Sequence, residues 1–173
     1  FLYALDADKG GPVTEWGNSG RIDLREGLGR DPAKLFVQAS SPGAIYKDLL
    51  IQGTALGEGY DAAPGFIRAY DVRTGKIVWT FHTIPQPGEF GYDTWSKDSW
   101  TLNGGANSWP GMALDERRGI VYVPTGSASS VTTPVMRPRS WASAGRATRA
   151  SAARPMPRRW RGRRRVLTMP SLM

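Results

Sequence analysis

Short apolar runs separated by turn-forming residues dominate the first 130 residues. Strands are predicted at the runs richest in β-branched and aromatic residues, which are Ala44–Gln52, Gly65–Tyr70, Lys76–His82 and Gly119–Val123. Glycine-containing turns, such as Arg73-Thr74-Gly75 and Gly57-Glu58-Gly59, lie between them. No stretch keeps a helical period. The pattern predicts an all-β fold: a sandwich, a barrel or a propeller.

An internal repeat favours the propeller. Ala4-Leu5-Asp6-Ala7-Asp8-Lys9-Gly10 is echoed 65 residues later by Ala69-Tyr70-Asp71-Val72-Arg73-Thr74-Gly75. In both, a strand ends in Ala-x-Asp, and a turn and a second strand then lead to a tryptophan, Trp16 or Trp79. A recurring strand–turn–strand unit is what stacked blades produce.

Residues 131–173 differ sharply in composition. They hold 11 arginines and no acidic residue, whereas residues 1–130 hold 12 Lys/Arg against 15 Asp/Glu, so the net charge of +8 comes from the tail. We predict a disordered, Arg/Ala/Pro-rich tail and interpret it as the product of a frameshift near Ser129–Val131. A basic arm that binds nucleic acid or an anionic membrane is the alternative, but residues 1–130 contain no nucleic-acid-binding motif.

Composition also excludes several kinds of site. Without cysteine, the chain has no thiol nucleophile and no Cys-ligated zinc. His82 is the one histidine, which argues against a His-rich metal site or a complete Ser-His-Asp triad. We expect His82 to pack or to face solvent rather than to act as a general base. Asp93 and Asp98 could be taken for the paired carboxylates of a glycosidase, but their spacing predicts that they lie in a loop.

Each part of the stretch Ala69 to Trp79 has a physical purpose. Ala69 is small where sheets pack closely, Asp71 accepts hydrogen bonds from turn amides, and Gly75 permits a left-handed backbone. Trp79 offers a flat face to a neighbouring blade. The pattern A-x-D-x-x-T-G-x-x-x-W resembles the tryptophan-docking motif of pyrroloquinoline quinone (PQQ)-dependent dehydrogenases. The stretches 91–95, 98–100, 104–109 and 121–126 follow in the order of that family.

The resemblance implies a partial β-propeller over residues 1–130, about two to three blades of an eight-bladed ring. It also implies the cofactors PQQ and Ca²⁺. Trp109, in Gly-Gly-x-Asn-x-Trp, matches the tryptophan on which PQQ stacks. Ser40 stands where the family has a threonine that bonds a PQQ carboxylate, and Thr54 is a further candidate. The alternatives are a docking role for Trp109 and turn-forming hydroxyls for Ser40 and Thr54.

Glu58 matches the calcium-binding acid of the family, and its neighbouring glycines allow backbone oxygens to approach a hard cation. A solvated turn glutamate is the alternative. The second ligand is often an Asn or Asp after Thr125-Gly126, where this chain has Ser127-Ala128-Ser129. The metal site is therefore expected to be incomplete. Asn107 is expected to shape the turn before Trp109.

For the parent protein, the resemblance implies oxidation of a sugar, glucose-like, or of an alcohol by hydride transfer to PQQ. Ca²⁺ acts as the Lewis acid, and a quinone or cytochrome takes the electrons. The catalytic aspartate lies on a later blade, so no catalytic residue is assigned and the chain itself is expected to be inactive. We expect a periplasmic location, with membrane association through segments that this sequence lacks. An alcohol-oxidising quinoprotein and a non-catalytic propeller scaffold are the alternatives.

Overall fold

The computed structural model describes residues 1–59 and 61–129, and the backbone of residues 165–170. Its largest sheet has four antiparallel strands, adjacent in the order in which the chain forms them. These strands are β4 (Ala44–Tyr46), β5 (Leu49–Gln52), β7 (Ile67–Asp71) and β8 (Ile77–Phe81). A four-stranded antiparallel meander is the blade unit of a propeller. We therefore call this sheet the central blade.

The other strands form smaller sheets around the central blade. β1 pairs with β2, β3 with β6, β9 with β12, and β10 with β11, all antiparallel. Their bounds are Leu2–Tyr3 (β1), Arg21–Ile22 (β2), Val37–Gln38 (β3), Ala55–Leu56 (β6), Gly104–Gly105 (β9), Ala113–Asp115 (β10), Ile120–Thr125 (β11) and Ala128–Ser129 (β12). The helical segments are short: 3₁₀ turns at Pro32–Lys34 and Tyr92–Thr94, and one α-helical turn, α1, at Ser99–Leu102. The all-β prediction is confirmed.

The stretch Ala44–Gln52, predicted as one strand, is instead a tight hairpin. Tyr46 pairs with Leu49, and Lys47 turns the chain in the left-handed region at φ 54°. A two-residue hairpin turn needs positive φ, which glycine or asparagine usually supplies. Lys47-Asp48 contains neither glycine nor asparagine, so the sequence pattern predicts one continuous strand across the turn.

The repeated turn occurs three times in the described residues. Asp6, Asp71 and Asp115 each accept, through Oδ1, the amide of the residue three positions later, at 2.8, 2.9 and 2.9 Å. A glycine with positive φ follows four residues after each aspartate. The turn amides hold the pKa of Asp71 and of Asp115 below the ordinary value. The sequence predicts the third copy as a turn at Glu116–Gly119 but not as part of the repeat, because no tryptophan stands at the corresponding position after it.

Trp16 from the first repeat packs onto the turn of the second. Its indole Nε1 donates to Val72 O at 3.1 Å, and Gly17 N donates to Thr74 O at 3.0 Å. A Cβ on Gly75, whose φ is +72°, would lie 3.0 Å from the Trp16 ring. Trp16 is 6% exposed. The expectation that these tryptophans dock against a neighbouring unit is thus confirmed for Trp16.

The main core lies between the central blade and β11. It consists of the buried side chains Leu49, Ile51, Ile67, Ala69, Val121 and Val123. Trp79, half-buried, packs against this cluster. Ala69 is 0% exposed, which agrees with the need for a small side chain where two sheets approach. Face-to-face packing of adjacent sheets is the arrangement expected of neighbouring blades.

One part of the tail has a described backbone. The backbone of β13 (Arg165–Pro170) pairs in parallel with β11, with Ile120 opposite Arg165. Residues 165–170 thus form a strand that the sequence pattern does not predict, and the disordered character of the tail stays a prediction. The exposed backbone groups of β11 offer an edge to which a further strand can add, whatever side chains it carries. The rest of the tail, residues 131–164 and 171–173, lies outside the described residues. Within the described part of the chain, no helix is both long and apolar enough to cross a lipid bilayer.

Candidate functional site

Trp109 presents an open indole on a fixed backbone. Its side chain is 59% exposed. Its carbonyl oxygen accepts two hydroxyl hydrogen bonds, from Ser40 Oγ at 3.0 Å and from Ser41 Oγ at 2.8 Å. Two of the predicted site residues, Ser40 and Trp109, are therefore in direct contact. An exposed ring on an anchored backbone is suited to stacking against a planar ligand.

The segment before Trp109 packs backbone against backbone. A Cβ on Gly104 would overlap Ala62 O, and Gly105 N donates to Ala63 O at 3.0 Å. Ala106 N donates to Ser127 O at 2.8 Å. Glycine is required at 104 because a side chain has no space there. This packing sets the path of the chain into Trp109.

Arg30 links the segment that follows Glu58 to the segment that leads to Trp109. Its Nη1 donates to Ala62 O at 2.7 Å, and its Nη2 donates to Thr101 O at 3.0 Å and Asn103 O at 2.8 Å. Burial lowers the pKa of the Arg30 guanidinium. Sequence reasoning missed this residue because its partners lie 32 or more positions away.

Asn107 and Thr54 hold two loops together. Asn107 Nδ2 donates to Thr54 O at 2.7 Å, and Gly126 N donates to Asn107 O at 2.9 Å. The contacts agree with the expectation that Asn107 shapes the chain before Trp109. Thr54 is 9% exposed, so the structure brings it to the site through its backbone rather than through an open hydroxyl.

Ser40 lies against the backbone carbonyl of Trp109, and this hydrogen bond already uses its hydroxyl proton. A carboxylate needs a donor, so Ser40 would have to turn away from Trp109 O to bind one. Ser41 also holds that carbonyl, at the shorter distance of 2.8 Å. One of the two hydroxyls is therefore sufficient to anchor Trp109, and the other can serve a ligand.

Glu58 is exposed, and its carboxylate makes no hydrogen bond or ion pair with a described residue. A Cβ on the adjacent Gly59 would lie 2.8 Å from Asp61 Oδ1. Among the described residues, no group of three or more His, Cys, Asp or Glu side chains is placed to hold a metal ion. Ser129 Oγ accepts from Gly104 N at 3.3 Å, so it already has a structural partner. The described residues therefore do not form a complete calcium site. The assignment of Glu58 as one Ca²⁺ ligand stays a prediction.

His82 has the packing role expected of it. Its Nδ1 lies 2.8 Å from Glu89 Oε1, and its ring meets Phe66 edge-on, with centroids 4.4 Å apart. Glu89 also accepts from Gln86 N at 2.7 Å, which closes the loop. Asp93 lies in the 3₁₀ turn at Tyr92–Thr94, Asp98 is the residue before α1, and both are exposed.

Comparison with known proteins identifies a matching family model. The family model for the β-propeller domain of PQQ glucose/ethanol/alcohol dehydrogenases matches residues 1–143. This chain belongs to that PQQ dehydrogenase family. The family prediction and the cofactor prediction of PQQ are thereby confirmed.

Relatives of this PQQ dehydrogenase chain include enzymes named for different substrates. The glycerol dehydrogenase large subunit of Gluconobacter oxydans (strain 621H) is 31% identical over 75% of this chain and 17% of its own length. The quinate/shikimate dehydrogenase (quinone) of Acinetobacter baylyi is 32% identical over 74% of this chain and 16% of its own length. The chain thus spans about a sixth of these relatives, and their names do not agree on a substrate.

The solved structure of the quinohemoprotein alcohol dehydrogenase ADHIIG from Pseudomonas putida HK5 has a TM-score of 0.54. It is 24% identical and covers 74% of this chain and 18% of that one. At this identity the likeness supports the propeller fold. The family match extends to residue 143, beyond the predicted boundary at residue 130. The position of that boundary and the frameshift stay predictions.

PQQ is a planar aromatic molecule with carboxylate groups, and the residues around Trp109 fit it. The open indole supplies a stacking face, and Ser40 and Ser41 supply hydroxyl groups at the backbone of the same residue. The backbone segment that leads to Trp109 is already held by the Arg30 hydrogen bonds and by the Gly104 packing, so it needs little reorganisation when a ligand binds.

Proposed function

We propose that this chain forms part of the cofactor site of a dehydrogenase that oxidises a sugar, glucose-like, with an alcohol as the second candidate substrate. The observation that carries the proposal is the exposed indole of Trp109 on a backbone anchored by two serine hydroxyls. The family membership supports it. Relatives named glucose dehydrogenase and alcohol dehydrogenase support both substrate classes.

When bound, PQQ supplies a hydride acceptor for the oxidation of a hydroxyl-bearing carbon, which no amino-acid side chain provides. Trp109 would lie under the ring, and Ser40 or Ser41 would donate to a carboxylate. Ca²⁺ is proposed as the second cofactor, with Glu58 as one of its ligands and the remaining ligands from residues outside the described part of the chain.

The residues of this chain bind and orient rather than transfer protons. The Arg30 hydrogen bonds and the Gly104 packing hold the backbone segment that leads to Trp109. Of the described acids near the site, Glu58 is exposed and unpaired and serves as a metal ligand in this proposal. No described residue is assigned as the general base. We therefore propose that the chain binds cofactor without turning over substrate.

The remaining partners follow from the same family. We propose a quinone or a cytochrome as the electron acceptor, supported by relatives named as quinone-linked and quinohemoprotein enzymes. We propose a periplasmic location and no role in nucleic-acid binding. A non-catalytic propeller scaffold would share the docking repeats but would not need an open Trp109 or an unpaired Glu58.

Titration of the full chain with PQQ in the presence of Ca²⁺, followed by quenching of tryptophan fluorescence, tests the proposal. Trp109→Ala should weaken binding about tenfold or more, because stacking on an open ring supplies the contact. Trp100→Ala is the matched control: Trp100 is 36% exposed and lies on α1. Equal affinity in both variants, or no saturable binding by the wild-type chain, would favour the scaffold.

Glu58→Gln tests the metal assignment separately. We expect the variant to lose the Ca²⁺ dependence of PQQ binding, because an amide is a poorer ligand for a hard cation than a carboxylate. Glu116→Gln, on another exposed turn, should keep it. Unchanged Ca²⁺ dependence in Glu58→Gln would remove Glu58 from the proposed site.

A further inference from the structure

A buried cation on β7 lacks a counter-ion. Arg68 and Tyr70 lie two positions apart, so they point to the same face of β7, and they are 4% and 1% exposed. Arginine is almost never this buried unless it is paired with an acid. Among the described residues, no carboxylate forms an ion pair with Arg68.

The hydrogen bonds of Arg68 leave part of the guanidinium without a partner. Nη1 donates to Leu24 O at 3.3 Å and to Glu26 O at 2.9 Å. The ring of Phe66 faces the guanidinium, with its centroid 5.9 Å away, and offsets a part of the charge. Nη2 and the Tyr70 hydroxyl are both buried and have no hydrogen-bond partner within the described residues.

Both unpartnered groups line one internal cavity of about 10 Å³. Gln52 and Thr54 complete its polar wall, and apolar side chains close the rest. The volume suits a single small occupant. Gln52 Nε2 is already used, since it donates to Ser41 O at 3.2 Å and to Gly53 O at 2.6 Å.

The polar groups that line the cavity determine which kind of ligand it can bind. Burial raises the pKa of Tyr70 above its ordinary value, against the opposing effect of the nearby Arg68 guanidinium, so its hydroxyl keeps the proton and can donate it. The guanidinium is a donor with a fixed positive charge. A buried charge is stabilised when an opposite charge is placed beside it, whereas a water molecule satisfies the hydrogen bonds and leaves the charge uncompensated.

We propose that this cavity binds one small monovalent anion of the chloride type, held by Arg68 Nη2 and the Tyr70 hydroxyl. The bound anion ties β7 to the 24–28 loop, because Arg68 bridges the two. Phosphate and sulfate are excluded by the cavity volume. The site does not depend on the proposed PQQ function.

Urea unfolding of the full chain, followed by far-UV circular dichroism, tests the proposal as chloride replaces gluconate at constant ionic strength. From about 5 mM to about 200 mM chloride, the ratio of folded to unfolded chain should rise roughly tenfold for an affinity near 10 mM, because the anion binds the folded state alone. Tyr70→Phe should reduce this rise and Arg68→Met should abolish it. Tyr46→Phe, on β4 in the same sheet, should retain it.

Tyr70→Phe keeps the experiment decisive if Arg68→Met does not fold, because it removes a hydroxyl that has no protein partner. Identical unfolding of the wild-type chain in chloride and gluconate would overturn the proposal and indicate a water molecule in the cavity. A chloride effect that persists undiminished in Tyr70→Phe would also overturn it, since the anion would then lie elsewhere.

Discussion

The contact of Trp16 with the second repeat turn allows a quantitative test of the docking geometry. Trp16 is 6% exposed, donates to Val72 O at 3.1 Å and lies over Gly75. Trp16→Phe keeps an aromatic ring and removes the hydrogen bond. Trp16→Ala removes both and leaves a cavity at the junction of the two repeats.

The expected losses of unfolding free energy follow from the hydrogen bond and the buried ring that each variant removes. Loss of the hydrogen bond in Trp16→Phe, with a smaller ring, should cost about 1–2 kcal/mol of unfolding free energy. Trp16→Ala should cost about 3–5 kcal/mol, since a large buried side chain is deleted. Gly75→Ala should cost about 1–3 kcal/mol, because its φ of +72° disfavours a side chain and its Cβ would press on the Trp16 ring.

Far-UV circular dichroism in urea is the suitable assay, because removal of a tryptophan alters fluorescence directly. The double variant Trp16→Ala, Gly75→Ala should be more stable than the sum of the single costs predicts, since the ring that clashes with the new methyl group is gone. Trp100→Ala is the control and should cost less than about 1 kcal/mol, as expected for a partly exposed side chain outside the core. Strict additivity, or equal effects of Trp16→Ala and Trp100→Ala, would refute the docking contact.

Three further predictions test other parts of the structure. Arg30→Met should lower the unfolding free energy by roughly 2 kcal/mol or more, because three carbonyls lose a charged donor. The control Arg73→Met, at an exposed arginine, should lower it by less than about 1 kcal/mol in the same urea assay. Equal losses in the two variants would contradict the linking role of Arg30. Asp23 has its pKa lowered to about 2, chiefly by its hydrogen bond from Arg25, so its contribution to stability is complete above the unfolded pKa of about 4 and is lost as the pH falls through about 2. Urea midpoints of wild type and Asp23→Asn should therefore converge between about pH 4 and pH 2, and a constant difference would show that the ion pair does not act. Sequencing and three-frame translation of the DNA for residues 126–135 should reveal a frame that continues into another docking motif; absence of such a frame would refute the frameshift.

The docking motif could be predicted from the sequence because its chemistry is local. Asp71 accepts amides within its own turn, and Gly75 supplies the positive φ that the turn needs. The same local chemistry applies at Asp115, where the sequence predicts a turn. The spacing from the aspartate to the glycine marks this turn as a copy of the repeat even without a tryptophan after it.

The candidate site could be predicted in part. Trp109 could be predicted as a stacking residue from the glycine-containing motif that precedes it. Its hydrogen bond with Ser41 and the link through Arg30 could not, because they join residues more than 30 positions apart. Such contacts leave no periodic signal. The β13 pairing was missed for a related reason: a strand added at the edge of β11 makes backbone hydrogen bonds, which do not require a β-like side-chain pattern.

The central claim is that PQQ stacks on Trp109, and an experimental structure of the chain with PQQ and Ca²⁺ tests it most directly. We predict that the PQQ ring lies parallel to the Trp109 indole at about 3.5–4 Å, with a carboxylate within hydrogen-bond distance of Ser40 or Ser41. A structure in which PQQ binds elsewhere while the Trp109 ring stays uncovered would contradict the account.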